Sequence, residues 1–401
     1  MRNAILKRHA KPGDEAPVGI GKDRNLCMSE TRLADFRFIA TQQALESLCD
    51  ELCHSTCVGL DTEFERSRTF FAELCLVQIA APGVLACIDP FAVDSLAPLT
   101  ALLADGPATV QLHAARQDLE VIYQLDGRLP APLLDTQVAA GLAGYADNIG
   151  YADLVAQLLG ITLDKSQTRT DWRQRPLSQA QLDYAAADVL HLAPCAQLLQ
   201  EKLEGLGRAA WLKEDCRALL APEDFRQAPE TAWRRLRGLA NLIPAAQARA
   251  VALAAWRETT AQDRNLPRGW VLKDDELLAL AANPPASARD LATQFAHNGN
   301  VRRHAETLVD ALRAPAPTIE LPAVRRLTTA GRAELKRLSV CAQDIAQRLA
   351  LAPSILITRR ELEMLVCAEL PPRLRDGWRG PVLTELLALR AETSDEGLWD
   401  S

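Results

Sequence analysis

The stretch CVGLDTEF, residues 57–64, is an apolar run of strand length that carries two carboxylates, Asp61 and Glu63, one residue apart. Few features constrain a fold more. Runs of this kind become buried strands, and a carboxylate taken out of water is costly unless it is paired or binds a metal. In a strand, residues i and i+2 share a face, so Asp61 and Glu63 project together while Thr62 points away. The chain is therefore expected to form a sheet with a cation held against it. Hard ions such as Mg²⁺ and Mn²⁺ favour such oxygens.

Further acids sit in matching contexts. Asp118, in LHAARQDLEVI, lies in the first turns of a helix that follows a strand, and Asp188, in LDYAAADVLHL, comes four residues after Tyr184. That spacing puts Tyr184 and Asp188 on one helix face, which the surrounding apolar residues turn inward. Four acids and a phenol then converge. This set suits phosphoryl transfer with two divalent ions about 4 Å apart, which bind the scissile phosphate and activate a water; Tyr184 is placed to orient that water.

The periodicity supports a sheet around these residues. FRFIAT (36–41), CVGLDTEF, LCLVQIA (74–80), VLACIDP (84–90) and ATVQLHA (108–114) read as strands, with APG as a hairpin turn between the third and fourth. Thr41 and Ser178 are expected N-caps, and Gly160 ends a helix. LLDTQVAAGLAG reads as helix or strand-to-helix, and residues 178–207 as one long helix. Strands that come first and then alternate with helices imply a mixed sheet flanked by helices. From about 225 to 390 only helical patterns remain, broken at 283–287 and by the Pro-rich RAPAPTIELP (313–322). Two helical modules follow, near 225–312 and 318–392, with a weak echo between LIPAAQARAVALAAWRE (242–258) and RLALAPSILITRRELEMLV (348–366). The stretch near 205–225 reads as a linker, so removal of everything after about residue 222 is expected to break few contacts.

Charge and cysteines narrow the class. The chain carries −7 overall, yet residues 225–313 hold 13 Lys+Arg and 9 Asp+Glu, a local +4 that leaves −11 for the rest. An acidic body with a mildly basic appendage fits a metal-dependent enzyme with a separate nucleic-acid grip. No apolar run is long enough to span a bilayer, and residues 1–32 lack the apolar core of a signal peptide, so a poorly ordered leader and a cytoplasmic home are expected. Cys49, Cys53 and Cys57 beside His54 lack structural zinc spacings and read as a helix stripe running into a strand.

The segments LDTEFER, LHAARQDLEVI, LLDTQVAA and KSQTRTDWRQRPLSQAQLDYAAADVLHL resemble the exonuclease signatures of the bacterial ribonuclease D family, in the tyrosine-bearing branch of the DEDD exonuclease superfamily. Residues 232–281 are similar to the helicase-and-RNase-D C-terminal (HRDC) domain, and 328–387 to a second, diverged copy. The resemblance implies an α/β ribonuclease-H-like exonuclease domain over 33–215, followed by two all-α HRDC-like domains. It implies a 3′-to-5′ exoribonuclease that trims tRNA precursors and other structured RNAs and releases 5′-nucleotides. Asp61, Glu63, Asp118 and Asp188 are then the metal ligands for two Mg²⁺ or Mn²⁺ ions, and Tyr184 positions the nucleophile. A Werner-type DNA exonuclease and an inactive RNA-binding scaffold are the alternatives. A monomer is favoured.

The same resemblance gives substrate contacts to Phe64, Arg116, Gln117, Lys165, Gln167 and Arg169, and a solvated surface is the plainer reading of most of them. Phe64 is expected to stack on the terminal base, whereas Phe71 is expected in the core. Asp135 is favoured as a helix N-cap. His113 is expected to be a satisfied rim histidine, with His191 a weak candidate partner of Asp188. Arg234, Arg235 and Arg237 read as an RNA-facing patch on one helix. Trp233, Trp256, Trp270 and Trp378 read as core anchors.

Overall fold

The computed structural model describes residues 36–167, 170–313 and 326–400; the leader at 1–32, Arg169 and most of the Pro-rich break at 313–322 lie outside them. The chain enters through β1 (Arg37–Ile39) and α1 (Gln42–Leu52), whose N-cap Thr41 accepts from the Ala44 amide. β2 (Cys57–Glu65), β3 (Glu73–Ala81) and β4 (Val84–Ile88) form an antiparallel meander. The β3–β4 turn is tight because Gly83 supplies a φ of +75°. Then come α2 (Ala97–Asp105), β5 (Thr109–Leu112), α3 (Arg116–Asp126), β6 (Leu133–Asp135) and α4 (Thr136–Leu142), with β5 parallel to β2 and β6 parallel to β5. β1 returns parallel to β4, so the sheet order is β1-β4-β3-β2-β5-β6. The mixed sheet expected from the sequence is thus present, and LLDTQVAA is a strand-to-helix junction.

Both sheet faces are covered. Leu60, Val77 and Ile79 meet α1 and α3 through Leu45, Leu48, Leu119 and Ile122. The opposite face takes α6 (Gln179–Leu190), whose Ala185, Ala186 and Val189 sit on Cys75, Leu85 and Cys87. Before it runs α5 (Tyr151–Leu159), closed by Gly160; after it come α7 (Leu192–Gly205) and α8 (Ala209–Ala218). The single long helix expected over 178–207 is broken at His191. Pro194 has no amide to give back to Leu190, so the hydrogen-bond ladder cannot continue, and the His191 amide instead donates to the Tyr151 hydroxyl at 3.2 Å.

The first helical region holds α9 (Pro244–Asp263), α10 (Arg268–Val271), α11 (Asp274–Ala282), α12 (Ala288–Gln294), α13 (Gly299–Arg303) and α14 (Ala305–Arg313), around its own core of Leu253, Leu280, Leu291 and Leu308. The second holds β7 (Arg326–Leu327), α15 (Thr329–Arg348), α16 (Pro353–Leu356), α17 (Arg359–Val366), α18 (Pro372–Arg375), α19 (Arg379–Val382), α20 (Thr384–Ala391) and β8 (Trp399–Asp400). β7 and β8 pair, and Gly331 allows the Leu398 carbonyl to lie where a Cβ would be. The echo between the two regions is real but sits elsewhere than the sequence pattern placed it. A 20-residue helix, a single turn and a capped short helix recur as α9-α10-α11 and α15-α16-α17, so α9 matches α15 and not residues 348–366.

The linker expectation fails. Residues 209–218 are helix α8, and the second region shares one interior with the exonuclease domain: Ala139, Leu142, Leu199 and Leu212 pack with Leu338, Ile345, Leu365 and Leu386. Trp211 stacks on Trp378 at 4.1 Å, and Arg379 makes a two-pronged ion pair with Asp215 at 2.6 and 2.8 Å. Such contacts join sequence positions too far apart for local periodicity to reveal.

Candidate active site

Strand β2 sets the site. Asp61 lies opposite Gln78 of β3 and Glu63 opposite Leu76, and the register slips between Glu63 and Phe64. Helix α6 crosses β2, β3 and β4 on that side. Its start is fixed by a Ser178–Gln181 capping box, and the preceding loop is tied to the sheet by Arg175, which reaches Asp89 at 2.7 and 2.9 Å and the Cys75 carbonyl at 2.6 Å. One carboxylate oxygen each from Asp61, Glu63 and Asp188 lies within 4.8 Å of the others. The Tyr184 hydroxyl, one turn before Asp188, hydrogen-bonds to that carboxylate.

Asp118 approaches from the other side of β2. Thr62 does point away from its two acidic neighbours, and its hydroxyl donates to Asp118 Oδ1 at 2.5 Å, a contact absent from the sequence-based expectation. Asp135 does more than cap α4. Its carboxylate accepts from Gln137 (2.8 Å) and Val138 (3.3 Å), and also from Ala114 (3.1 Å) and Ala115 (2.8 Å) across the sheet edge. It therefore holds the turn that starts α3 and positions Asp118, which lies outside the close grouping of Asp61, Glu63 and Asp188, so three of the four expected acids and not all four meet there. Ala114 has a φ of +57°, a backbone state that only such bracing sustains in a non-glycine residue.

The electrostatics call for a cation. Burial and then the charges of Asp118, Asp188 and Glu63 push the Asp61 carboxyl well above its ordinary value. Burial first, and neighbouring acids second, raise Glu63 to about 8. Desolvation raises Asp188 to about 6, against the Tyr184 hydrogen bond, and Asp118 to about 6, against that of Thr62. Every charged neighbour acting on Asp61 is another carboxylate. The side chain of Gln78, opposite Asp61 in the sheet and fully buried, has neither amide atom hydrogen-bonded among the described residues. A crowd of hard oxygen donors beside an unsatisfied amide fits a hydrated divalent ion. Among the described residues this is also the only His, Cys, Asp and Glu grouping of metal-binding geometry, so Cys49, Cys53 and Cys57 form no such set.

A cavity of about 310 Å³ opens beside the acids, lined by Asp61, Tyr184 and Asp188 together with His113, Tyr151 and Lys165. His113 is the satisfied rim residue expected: Nε2 donates to the Ile149 carbonyl at 2.9 Å and Nδ1 meets Thr136 Oγ1 at 2.9 Å. His191 contributes its backbone to the helix break, and burial lowers its pKa. Lys165 stands on the cavity wall and pairs with Asp153 at 3.2 Å. Gln167 donates to Ser166, Gln117 is exposed on α3, and Phe64 leans on the core beneath Arg66 at 5.7 Å.

Arg116 pairs with Asp224 at 3.0 Å and lies over the Phe225 ring at 4.5 Å. Several other expectations are corrected. Phe71 is 37% exposed, and its neighbour Phe70 is the buried ring, inserted against Ala261 and Val271 of the first helical region. Trp270 is 55% exposed because the single turn α10 buries Val271 instead. The three arginines do not share one helix: Arg234 and Arg235 end a 3₁₀ segment, Arg237 follows it, and Arg235 pairs with buried Glu258 at 3.0 Å. Trp378 is the core anchor expected, while Trp233 and Trp256 are partly buried against the core.

Comparison with known proteins agrees with this geometry. A 3′-5′ exonuclease domain family matches residues 36–204, and the HRDC domain matches 246–312. Ribonuclease D of Granulibacter bethesdensis is 39% identical over 384 residues, covering 90% of this chain and 94% of that protein. Ribonuclease D of Escherichia coli is 33% identical, over 88% of this chain and 97% of its own. The crystal structure of the Escherichia coli enzyme superposes with a TM-score of 0.79 at 32% identity, over 89% of this chain and 99% of that one.

Proposed function

The chain belongs to the ribonuclease D family and is a 3′-5′ exoribonuclease, and from that premise we propose that the cavity beside Asp61 trims the 3′ ends of structured RNAs, tRNA precursors foremost, releasing 5′-nucleotides. The observation that carries the reading is the convergence of Asp61, Glu63 and Asp188 oxygens within 4.8 Å of one another next to Tyr184. The Escherichia coli relative is an exoribonuclease involved in structured RNA processing.

Asp61, Glu63, Asp118 and Asp188 are the residues to hold two divalent ions, Mg²⁺ or Mn²⁺. Such ions supply charge neutralisation at the scissile phosphate and a lowered pKa for the attacking water. The remaining work falls to the protein. Tyr184, hydrogen-bonded to Asp188 on the cavity wall, is placed to orient that water. Thr62 and Asp135 fix Asp118 relative to β2. His113, with both ring nitrogens engaged, leaves base chemistry to the acid cluster. Lys165 offers a positive charge from the cavity wall to the terminal phosphate, and Phe64 a ring edge to the terminal base. The region at 225–312 and the repeat-like region at 318–392 act as HRDC-type domains that hold the body of the RNA. A monomer acting in the cytoplasm completes the proposal. Among the described residues no helix is long and apolar enough to cross a membrane.

Incubation of the purified chain with a 3′-extended tRNA, a matched unstructured RNA and a single-stranded DNA, with Mg²⁺, Mn²⁺ or chelator, tests the reading. Stepwise 3′ shortening of the RNAs that stops with chelator is expected. Shortening of DNA alone would return the Werner-type alternative, and metal-independent inactivity with retained RNA binding would return the scaffold.

A further inference from the structure

Where the exonuclease domain meets the first helical region, a polar cavity of about 410 Å³ is ringed by four guanidinium groups. Arg66 and Arg116 come from the exonuclease side, Arg235 and Arg268 from the helical side. Each has an acid partner: Arg66 with Glu120 at 3.0 Å, Arg116 with Asp224 at 3.0 Å, and both Arg235 and Arg268 with Glu258, at 3.0 and 2.6 Å. Four cations thus share three carboxylates. The surplus is positive, in a chain whose total is −7.

The pairs differ in kind. Glu258 is buried, with only 1% of its side chain exposed, so its two arginines are held in place. The Arg66 and Arg116 side chains remain 41% and 48% exposed, and Asp224 52%. Ion pairs this wet contribute little and exchange readily. A phosphate, by contrast, accepts from guanidinium groups in a two-pronged geometry. Aromatic rings keep the forks oriented: Arg268 lies over Phe70 at 4.3 Å and Arg116 over Phe225 at 4.5 Å. The two walls are locked together, because Asn265 Oδ1 accepts from the amides of both Phe70 and Phe71 at 3.0 Å.

The cavity is also well placed along the chain. Arg66 follows Glu63 by three residues, about 10 Å of extended backbone. Arg116 and Asp118 sit in the same first turn of α3.

We propose that this seam is an RNA backbone subsite: it receives a phosphate upstream of the scissile one, contributed by a strand whose 3′ end lies among the catalytic acids. The proposal rests on the exoribonuclease reading and deepens it. It gives the first helical region a direct part in holding the substrate close to the reaction, through Arg235 and Arg268.

The test compares a hexanucleotide with a dinucleotide RNA, which is too short to reach the seam, on the full chain with Mg²⁺. In the Arg66→Gln/Arg116→Gln double variant the ratio of kcat/KM, hexanucleotide over dinucleotide, is expected to fall tenfold or more, and the salt dependence of hexanucleotide binding to flatten. Inorganic phosphate is expected to erode the hexanucleotide advantage of the parent chain and not of the double variant. Asp224→Asn, which frees Arg116, is expected to raise hexanucleotide affinity severalfold. An unchanged ratio, or an Asp224→Asn variant that binds the hexanucleotide less well, overturns the subsite and leaves the seam as a domain contact. If the parent chain degrades neither RNA, the exoribonuclease reading itself falls, and the subsite with it.

Discussion

Thr62 donates its hydroxyl proton to Asp118 across 2.5 Å, from strand β2 to the first turn of α3. The two acids that flank Thr62 turn to one face of the sheet, while Thr62 itself anchors a third acid from the other. Because this bond holds the Asp118 carboxyl down against burial, Thr62→Val is expected to lower kcat by about tenfold and to shift the acid limb of the pH–rate profile upward, with Thr62→Ser restoring both. A profile that keeps its position while the rate falls would make Thr62 a packing residue.

Asp61→Asn is expected to cut turnover by about a hundredfold or more while leaving the fold intact. Its second signature is thermal. In the metal-free chain Asp61 stays buried among other acids only by keeping a proton, and an amide is neutral without one, so the melting temperature should hold or rise, the more so at higher pH. Near-normal turnover with Mg²⁺ would defeat the assignment of Asp61 as a metal ligand.

Tyr184→Phe is expected to lower kcat by about tenfold while KM stays within about twofold, since a hydroxyl that orients water acts mainly in the transition state. A rise in KM with kcat preserved would place Tyr184 in substrate binding instead.

The acid cluster also fixes a sign for pH dependence. Glu63 is raised to about 8 and Asp118 and Asp188 to about 6, so the folded metal-free chain keeps protons that the unfolded chain has lost. The stability these groups contribute is full below the ordinary carboxylate range, near pH 4, and is lost as pH rises toward about 8. A divalent ion binds the ionised form. The Mg²⁺-induced rise in melting temperature should therefore be larger near pH 8 than near pH 5.5. Calorimetry with and without chelator measures it, and an equal rise at both values would count against a cation at this site.

Trp378→Ala, remote from the acids, is expected to cost about 3–5 kcal/mol of stability, because the ring is 7% exposed and stacked on Trp211. The kcat on short RNA should persist below the new melting temperature. By the same logic a chain cut after residue 222 should be poorly soluble. A soluble, active truncation would show that the shared interior is dispensable.

Much of the site is legible in the sequence, because its signals are local. A period of two put Asp61 and Glu63 on one face, a spacing of four put Tyr184 above Asp188, and Thr41, Ser178 and Asp135 are caps set by neighbours two or three residues away. What escaped was tertiary. Thr62 finds Asp118 across 56 residues, and Arg116 is taken by Asp224 across 108. Phe70, not Phe71, faces the helical region because Asn265 fixes that loop from 195 residues away. The same blindness hid the joint core of the exonuclease and second helical regions behind a stretch that only looked like a linker.

That joint core has a consequence for how the protein is made. Leu199, Leu203 and Leu212 leave the ribosome well before Leu365 and Leu386, the partners that cover them. At roughly 5–20 residues per second, the ~170 residues from Cys216 to Leu386 take about 10–30 s to synthesise. Through that interval the nascent exonuclease domain presents an uncovered greasy flank, a natural target for chaperones that attend translation. Protease-resistant exonuclease domain is therefore expected on ribosomes stalled within a C-terminal extension long enough to bring Leu386 out of the exit tunnel, and not on those stalled near residue 230. Equal resistance at both points would mean that the domain matures without its late partner.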